Sequence, residues 1–298
     1  MVRQYKIHTN LDGTDDKVWD VTNGKVRFYQ PSNLGLQSTN NIWQSNGIGV
    51  MGTRSITQPQ IEFKLETFGE SLDENYQLMK DFINDILKQK FVTLEYQTEI
   101  FQVYADLALA EVTKTEGYGK NGTFSEKITF DIITKWYTYE NLTFDKIQNG
   151  EVIAGKSKIY GGTAPGNYKY VKGTSYTYYG ESNIDRLSRW DIKDEIFSFM
   201  GILYPQLPKT PAGVRFLDDI GNEYTAIVFK TEQLQNYILI NTDVNDEIYQ
   251  GWNGTTSLNL FPVMDFERYR TRIIEHGQME LINLTKAEFK IKRKADFI

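Results

Sequence analysis

Apolar and charged side chains alternate residue by residue through several short stretches of this chain. Ile61, Phe63 and Leu65 are separated by Glu62, Lys64 and Glu66, and Ile128, Phe130 and Ile132 are interleaved with Lys127, Thr129 and Asp131. A period of two puts the apolar side chains on one face of an extended backbone, so these segments are expected as half-buried strands. Aromatic residues make up 14% of the 298 positions, 19 of them tyrosine. Together with the threonines they favour a mainly β chain. Gly117-Tyr118-Gly119-Lys120-Asn121-Gly122 lies between the apolar run 103–112 and the second alternating strand. Its glycines and Asn-Gly pair mark a hairpin loop. One segment breaks the pattern. From Leu72 to Lys90 the residues Leu72, Tyr76, Met79, Phe82, Ile83, Ile86 and Leu87 recur at three- and four-residue spacing, and Ser71 with Glu74 forms a capping box. This is read as one amphipathic helix whose apolar stripe packs on a sheet.

A second β region starts near Trp136. Strands are expected at 136–144, 214–217, 224–230, 236–241, 258–264, 279–284 and 287–293, with a turn over Asp218-Asp219-Ile220-Gly221-Asn222-Glu223. Several short strands at this spacing indicate a β-sandwich. The expected division is a first domain over 1–133 and a second over 134–298. Pro205, Pro208 and Pro211 stiffen a loop over 204–213. No internal repeat is found.

Composition removes several classes of function. A formal charge of −6 and a pI near 5.2 argue against nucleic-acid or anionic-membrane binding, which need clustered positive charge. Without cysteine there are no disulfides, thiol nucleophiles or cysteine-ligated metals, which suits assembly in a reducing cytoplasm. The first residues lack the apolar core of a signal peptide, and no run of about 18 apolar residues offers a transmembrane helix. With only His8 and His276 available, a histidine relay or two-histidine metal site would have to use both, so no enzymatic activity is expected.

The remaining motifs have weak contexts. Gly47-Ile48-Gly49-Val50-Met51-Gly52 matches the dinucleotide-binding spacing, but an alternating strand follows where a helix is required, so a flexible or sharply turning loop is expected. Asp12-Gly13-Thr14-Asp15-Asp16 and Asp243-Val244-Asn245-Asp246-Glu247 are oxygen-rich but lack the calcium-loop spacing. They are read as solvated turns, with no metal and no cofactor expected. Four Asn-x-Ser/Thr sites (Asn121, Asn141, Asn253, Asn283) are read as chance matches. Ala287, Phe289 and Ile291 alternate with charges, giving a terminal strand whose lysines would discourage edge pairing.

Residues 152–180 differ from everything around them. They hold Tyr160, Tyr168, Tyr170, Tyr176, Tyr178 and Tyr179, six glycines and no acid, and their only charges are Lys156, Lys158, Lys169 and Lys172. Tyrosine offers a large, rigid contact area with a polar tip, a composition found at recognition surfaces. Three readings stand: an arm gripping another protein, a platform stacking on sugar rings, or a disordered loop with incidental tyrosines.

A β domain with one capped helix, then a sandwich carrying a Tyr/Gly insertion, resembles the distal tail protein (Dit) family of siphophage baseplates, lactococcal-phage type. The stretches carrying the likeness are Phe91-Val92-Thr93-Leu94-Glu95-Tyr96, the 152–180 insertion and Gly251-Trp252-Asn253-Gly254-Thr255-Thr256. The resemblance implies a ring-forming first domain, hexameric at the tail tip, around a channel for DNA that passes through without specific binding. It also implies an outward galectin-like sandwich with an arm extension over 145–188 that holds the receptor-binding protein. Further implied partners are the tail tube protein and the tail-tip hub protein, and the implied location is the virion after assembly in the host cytoplasm. The ten arm residues named above are the expected partner contacts. A ring needs two different sticky faces on each copy, and an acidic chain does not trap DNA. The galactose-reading motifs of galectins are not matched: Phe266-Glu267-Arg268-Tyr269-Arg270 has no tryptophan at the required offset. The alternative is a lectin-like protein that binds cell-wall saccharide. An acid–base glycosidase ranks last, because nothing pairs two carboxylates.

Overall fold

A computed structural model describes residues 3–13, 15–35, 37–57, 60–114, 124–145, 147–148, 151–152, 184–233 and 235–295. The chain divides into two compact units. One runs to Thr138 and takes up Ala295, and the other spans Tyr139–Lys294.

The first unit contains β1 (Gln4–His8), β2 (Val18–Asp20), β3 (Val26–Ser32), β4 (Gln37–Ser45), β5 (Ile48–Thr57), β6 (Gln60–Thr67), α1 (Leu72–Leu87), β7 (Val92–Gln97), β8 (Gln102–Thr113) and β9 (Ser125–Ile132). Antiparallel pairing gives the order β2–β1–β7–β8–β9–β6–β3, while among the described residues β4 and β5 pair only with each other. The two alternating segments are neighbours, with Ile61 opposite Phe130 and Phe63 opposite Ile128, so their apolar faces coincide. Phe28 is central to the core: its ring lies 4.7 Å from Phe63, 5.8 Å from Phe82 and 6.1 Å from Phe130.

The helix starts where its cap requires. Ser71 Oγ accepts from the Glu74 amide at 3.2 Å. The reciprocal bond shifts by one residue, because Glu74 Oε2 accepts from the Glu70 amide at 2.7 Å. The buried line is Asn75, Phe82 and Ile86. Leu72, Tyr76 and Leu87, expected in the core, are at least half exposed. Tyr76 and Leu87 sit about 100–120° round the helix from that line, beyond the face the sheet can cover.

The second unit begins within β10 (Tyr137–Asp145) and continues through β11 (Ile147–Gln148), β12 (Glu151–Val152), β13 (Ile184–Ile192), β14 (Ile196–Pro205), β15 (Ala212–Leu217), β16 (Glu223–Phe229), β17 (Tyr237–Asn241), β18 (Ile248–Asn253), β19 (Thr256–Asn259), β20 (Gly277–Ile282) and β21 (Leu284–Lys294). One sheet runs β19–β18–β17–β14–β21–β10 and the other β13–β20–β15–β16. Their inner faces share one core, with Phe199 5.8 Å from Phe216 and 5.9 Å from Phe289. This is a β-sandwich, so the chain is mainly β with one helix among the described residues.

Two expectations are corrected. The strand expected over 258–264 ends at Asn259 and gives way to a 3-10 turn at Phe261–Val263. Pro262 at its centre has no amide to offer a ladder. The charged terminal strand β21 is not an edge: β14 and β10 flank it, and buried Lys292 pairs with Asp243 at 3.0 Å. Asn283 is buried with a φ of +51°. Its side chain accepts from the Leu207 amide and donates to the Leu207 and Thr210 carbonyls, all at 3.0 Å, so it pins the proline loop and cannot accept a glycan.

Candidate interaction surfaces

The ten expected contacts, Lys156, Lys158, Tyr160, Tyr168, Lys169, Tyr170, Lys172, Tyr176, Tyr178 and Tyr179, lie outside the described residues. The segment's roots are described. It departs after β12, which pairs with β11, and the chain returns on β13, antiparallel to β20 with a register break between Asp185 and Trp190.

The glycine-rich motif proves to be part of a hairpin. Asn46 and Gly47, at φ +51° and +78°, make the two-residue turn joining β4 to β5. Positive φ at both positions is the form that matches the twist of the flanking strands. The sharp turn is as expected, but Gly49 and Gly52 lie on strand β5 and not in a loop. A Cβ at Gly52 would come within 3.2 Å of the Asn41 carbonyl at the register break, so only glycine passes there without displacing it. Such a break is where one strand carries an extra residue and the backbones crowd. A strand follows the motif and not a helix, so it offers a pyrophosphate no helix-terminal amides.

Both faces of this hairpin are apolar and uncovered by the described residues. Trp43 opposes Val50 on one face, with Ile48 opposite Ser45 beside them, and Ile42 opposes Met51 on the other. Their exposures are 67% for Trp43, 60% for Val50, 70% for Ile48, 53% for Ile42 and 50% for Met51. A two-stranded ribbon is marginal by itself in water. A contiguous exposed patch of large apolar side chains marks an interaction site. Sequence reasoning missed it because β4 reads Gln-Ser-Thr-Asn-Asn-Ile-Trp-Gln-Ser, with no alternation to follow.

Several titratable groups are engaged in structural pairs. His8 Nδ1 faces Asp16 Oδ2 at 2.7 Å and Nε2 faces Glu95 Oε2 at 2.9 Å, while Lys6 Nζ donates to Glu95 Oε1 at 2.8 Å. Burial pushes the Glu95 carboxyl up, but the hydrogen bonds and charges of Lys6 and His8 outweigh it and hold the group below its usual value. A carboxylate lowered in the folded state adds stability above its unfolded pKa, about 4.3, and loses it as pH falls through the folded value. The melting temperature should therefore fall as the pH drops below about 5, and Glu95→Gln should flatten that dependence. An unchanged pH slope in the variant would remove Glu95 from the account. Burial, then the charges of Glu95 and Asp12, pushes the neighbouring Tyr104 hydroxyl up to about 12.

His276 is exposed, 3.9 Å from Asp219. Both acidic turns are occupied internally: Asp16 also accepts from the Asn10 amide, and Asp243 holds Lys292. Among the described residues no cluster of three or more histidines and carboxylates is placed to hold a metal ion. In the segment compared with galectins, Arg268 is committed to Glu223 at 2.7 and 2.5 Å.

Comparison with known proteins agrees with this architecture. The distal tail protein N-terminal domain family matches residues 4–133, and the Dit C-terminal domain family matches residues 135–298. The distal tail protein of Lactococcus phage p2 is 94% identical and that of Lactococcus phage SK1 is 91% identical, each over the full length of both chains. A chain in the structure of the phage p2 baseplate in its activated conformation with Ca is 94% identical, with a TM-score of 0.79 over the whole of both chains. The SPP1 Dit protein, 10% identical with a TM-score of 0.53, covers 99% of this chain and all of its own, and shares the fold. The chain belongs to the distal tail protein family, the structural proteins of the virion at the distal end of phage tails.

Proposed function

We propose that this chain is a non-enzymatic assembly hub of the baseplate. The first unit closes with copies of itself into a ring, a hexamer, around the path of the DNA. The second unit and its 145–188 extension anchor the receptor-binding protein, and the two ends of the ring meet the tail tube protein and the tail-tip hub protein. The observation that carries this reading is the β4–β5 hairpin, an extension with apolar side chains on both faces and, among the described residues, no strand partner beyond itself. A closed ring joins two different faces of each copy, and a two-sided hairpin can be gripped by a neighbour on both sides. Covering each of these side chains contributes about 1.5–3 kcal/mol. The p2 baseplate that holds a 94% identical chain supports the same setting.

Light scattering on the purified full-length protein tests it. The chain is 34.6 kDa, so a ring appears as a multiple of that mass, six-fold for the hexamer. A particle that stays at one chain's mass with rising concentration, and also when mixed with tail-tip partners, would count against the ring.

A further inference from the structure

We infer that the outer face of the sandwich's larger sheet carries a saccharide-binding site built on Trp252, Tyr237 and the trough beside them. The strand registers place the site. Lys286 is opposite Tyr204, and the pairing of Leu203 with Ile238 brings Tyr204 beside Tyr237. Tyr237 is opposite Trp252, which is opposite Ser257. Cross-strand partners share a face, so five adjacent strands present one transverse row: Lys286, Tyr204, Tyr237, Trp252, Ser257. Their strand neighbours Leu203, Ile238 and Ala287 belong to the core, which puts the row on the opposite, outward face. Two residues along the strands a second row follows, Glu288, Ile202, Leu239 and Gln250. Here the surface sinks into a groove of about 340 Å³ floored by Met200, Ile202 and Leu239 and edged by Asn141, Glu288 and Lys290.

The ring geometry leaves aromatic surface uncovered. Tyr237 and Trp252 are inclined by only 18° with centroids 6.0 Å apart. Rings in contact at about 3.5–4 Å must then be slipped sideways by roughly 5 Å, about a ring's width, so each leaves most of one face uncovered by the other. At one end the row closes, with Lys286 Nζ 5.5 Å from the Tyr204 ring and paired to Glu288. At the other end Ser257 is small and exposed, and Gln250 and its cross-strand partner Asn259, two residues along on the same face, are exposed amides.

This chemistry selects its ligand class. A concave, mainly apolar surface with a few convergent polar groups is the usual form of a small-ligand site. Aromatic faces beside neutral amides and hydroxyls suit the apolar C–H faces and the hydroxyls of a pyranose. A nucleotide would also stack, but it needs cations for its phosphates, and both lysines of this surface are engaged, Lys286 with Glu288 and Lys290 over the Tyr139 ring at 4.0 Å. The ligand is therefore a neutral hexose oligosaccharide.

Saturation-transfer NMR and titration calorimetry on the full-length chain with chitohexaose, maltohexaose and a β-galacto-oligosaccharide test the assignment. Transfer to the ring protons of at least one sugar is expected. Trp252→Ala should weaken its affinity about tenfold, the size expected for losing one stacked ring. Ser257→Arg, which adds bulk beside the indole without removing any core contact, should do the same with its melting temperature unchanged, whereas Trp252→Ala also loses the Tyr237 contact and should melt a few degrees lower. No transfer from any of the three sugars, or affinity unchanged in Trp252→Ala, overturns the proposal. If the same variants instead release a virion protein that co-purifies with the parent chain, the face is a protein interface and the saccharide assignment falls.

Discussion

Replacing Trp43 and Ile48 together by aspartate is expected to reduce the assembled protein to single chains while leaving its melting temperature within a few degrees. The two side chains lie on the same face of the hairpin and are 67% and 70% exposed in one chain, so the substitutions remove no core contact. In a ring that covers this face, two unpaired carboxylates would be stripped of water. That costs several kcal/mol per ion, and the apolar burial they replace, about 1.5–3 kcal/mol each, is lost as well. A swing of about 4 kcal/mol or more moves an association constant by at least roughly a thousandfold. The readout is the same light-scattering mass, and Ile42→Asp with Met51→Asp probes the second face independently. If both pairs of substitutions leave the oligomer intact, the hairpin is not the ring contact.

Excising residues 153–183 and joining Val152 to Ile184 by a short glycine–serine linker is expected to abolish capture of the receptor-binding protein. The cut falls between β12 and β13, whose partners β11 and β20 remain, so the sandwich core is untouched. Six tyrosines and four lysines leave with the segment. Interface tyrosines at the centre of a contact commonly cost about 2 kcal/mol or more each when truncated, and several arms on one ring multiply weak grips into firm attachment. Both effects vanish together. A full-length chain with all six tyrosines changed to alanine separates side-chain contacts from mere length. Co-purification of the receptor-binding protein with either variant at parental yield would move the anchor elsewhere in the chain.

The strands that could be read in advance are those with one wet face. In β6 and β9 alternate residues meet the core, and the pattern records it. The resemblance to distal tail proteins was likewise legible in the linear order of elements, and the family matches confirm it. Strand β14 escaped because Ile196-Phe197-Ser198-Phe199-Met200-Gly201-Ile202-Leu203-Tyr204-Pro205 is apolar on both faces, one toward the core and one toward the trough, so no period survives. The β4–β5 hairpin escaped for the opposite reason: no described residue outside it covers either face, so its sequence is under no alternation. The row of Lys286, Tyr204, Tyr237, Trp252 and Ser257 could not be read at all, since its members come from five strands far apart along the chain.

The amino-acid sequence by itself determined the β character of the chain, the start of its one described helix, the absence of thiol chemistry and the family, because each depends on local spacing or composition. Only the tertiary structure decided which strands are neighbours, that β21 is central, that His8 and Lys6 share Glu95, and that Asn283 holds the proline loop. Those outcomes depend on register between segments far apart in the chain. Shifting a register by one residue turns every side chain to the other face, so local spacing alone cannot specify them.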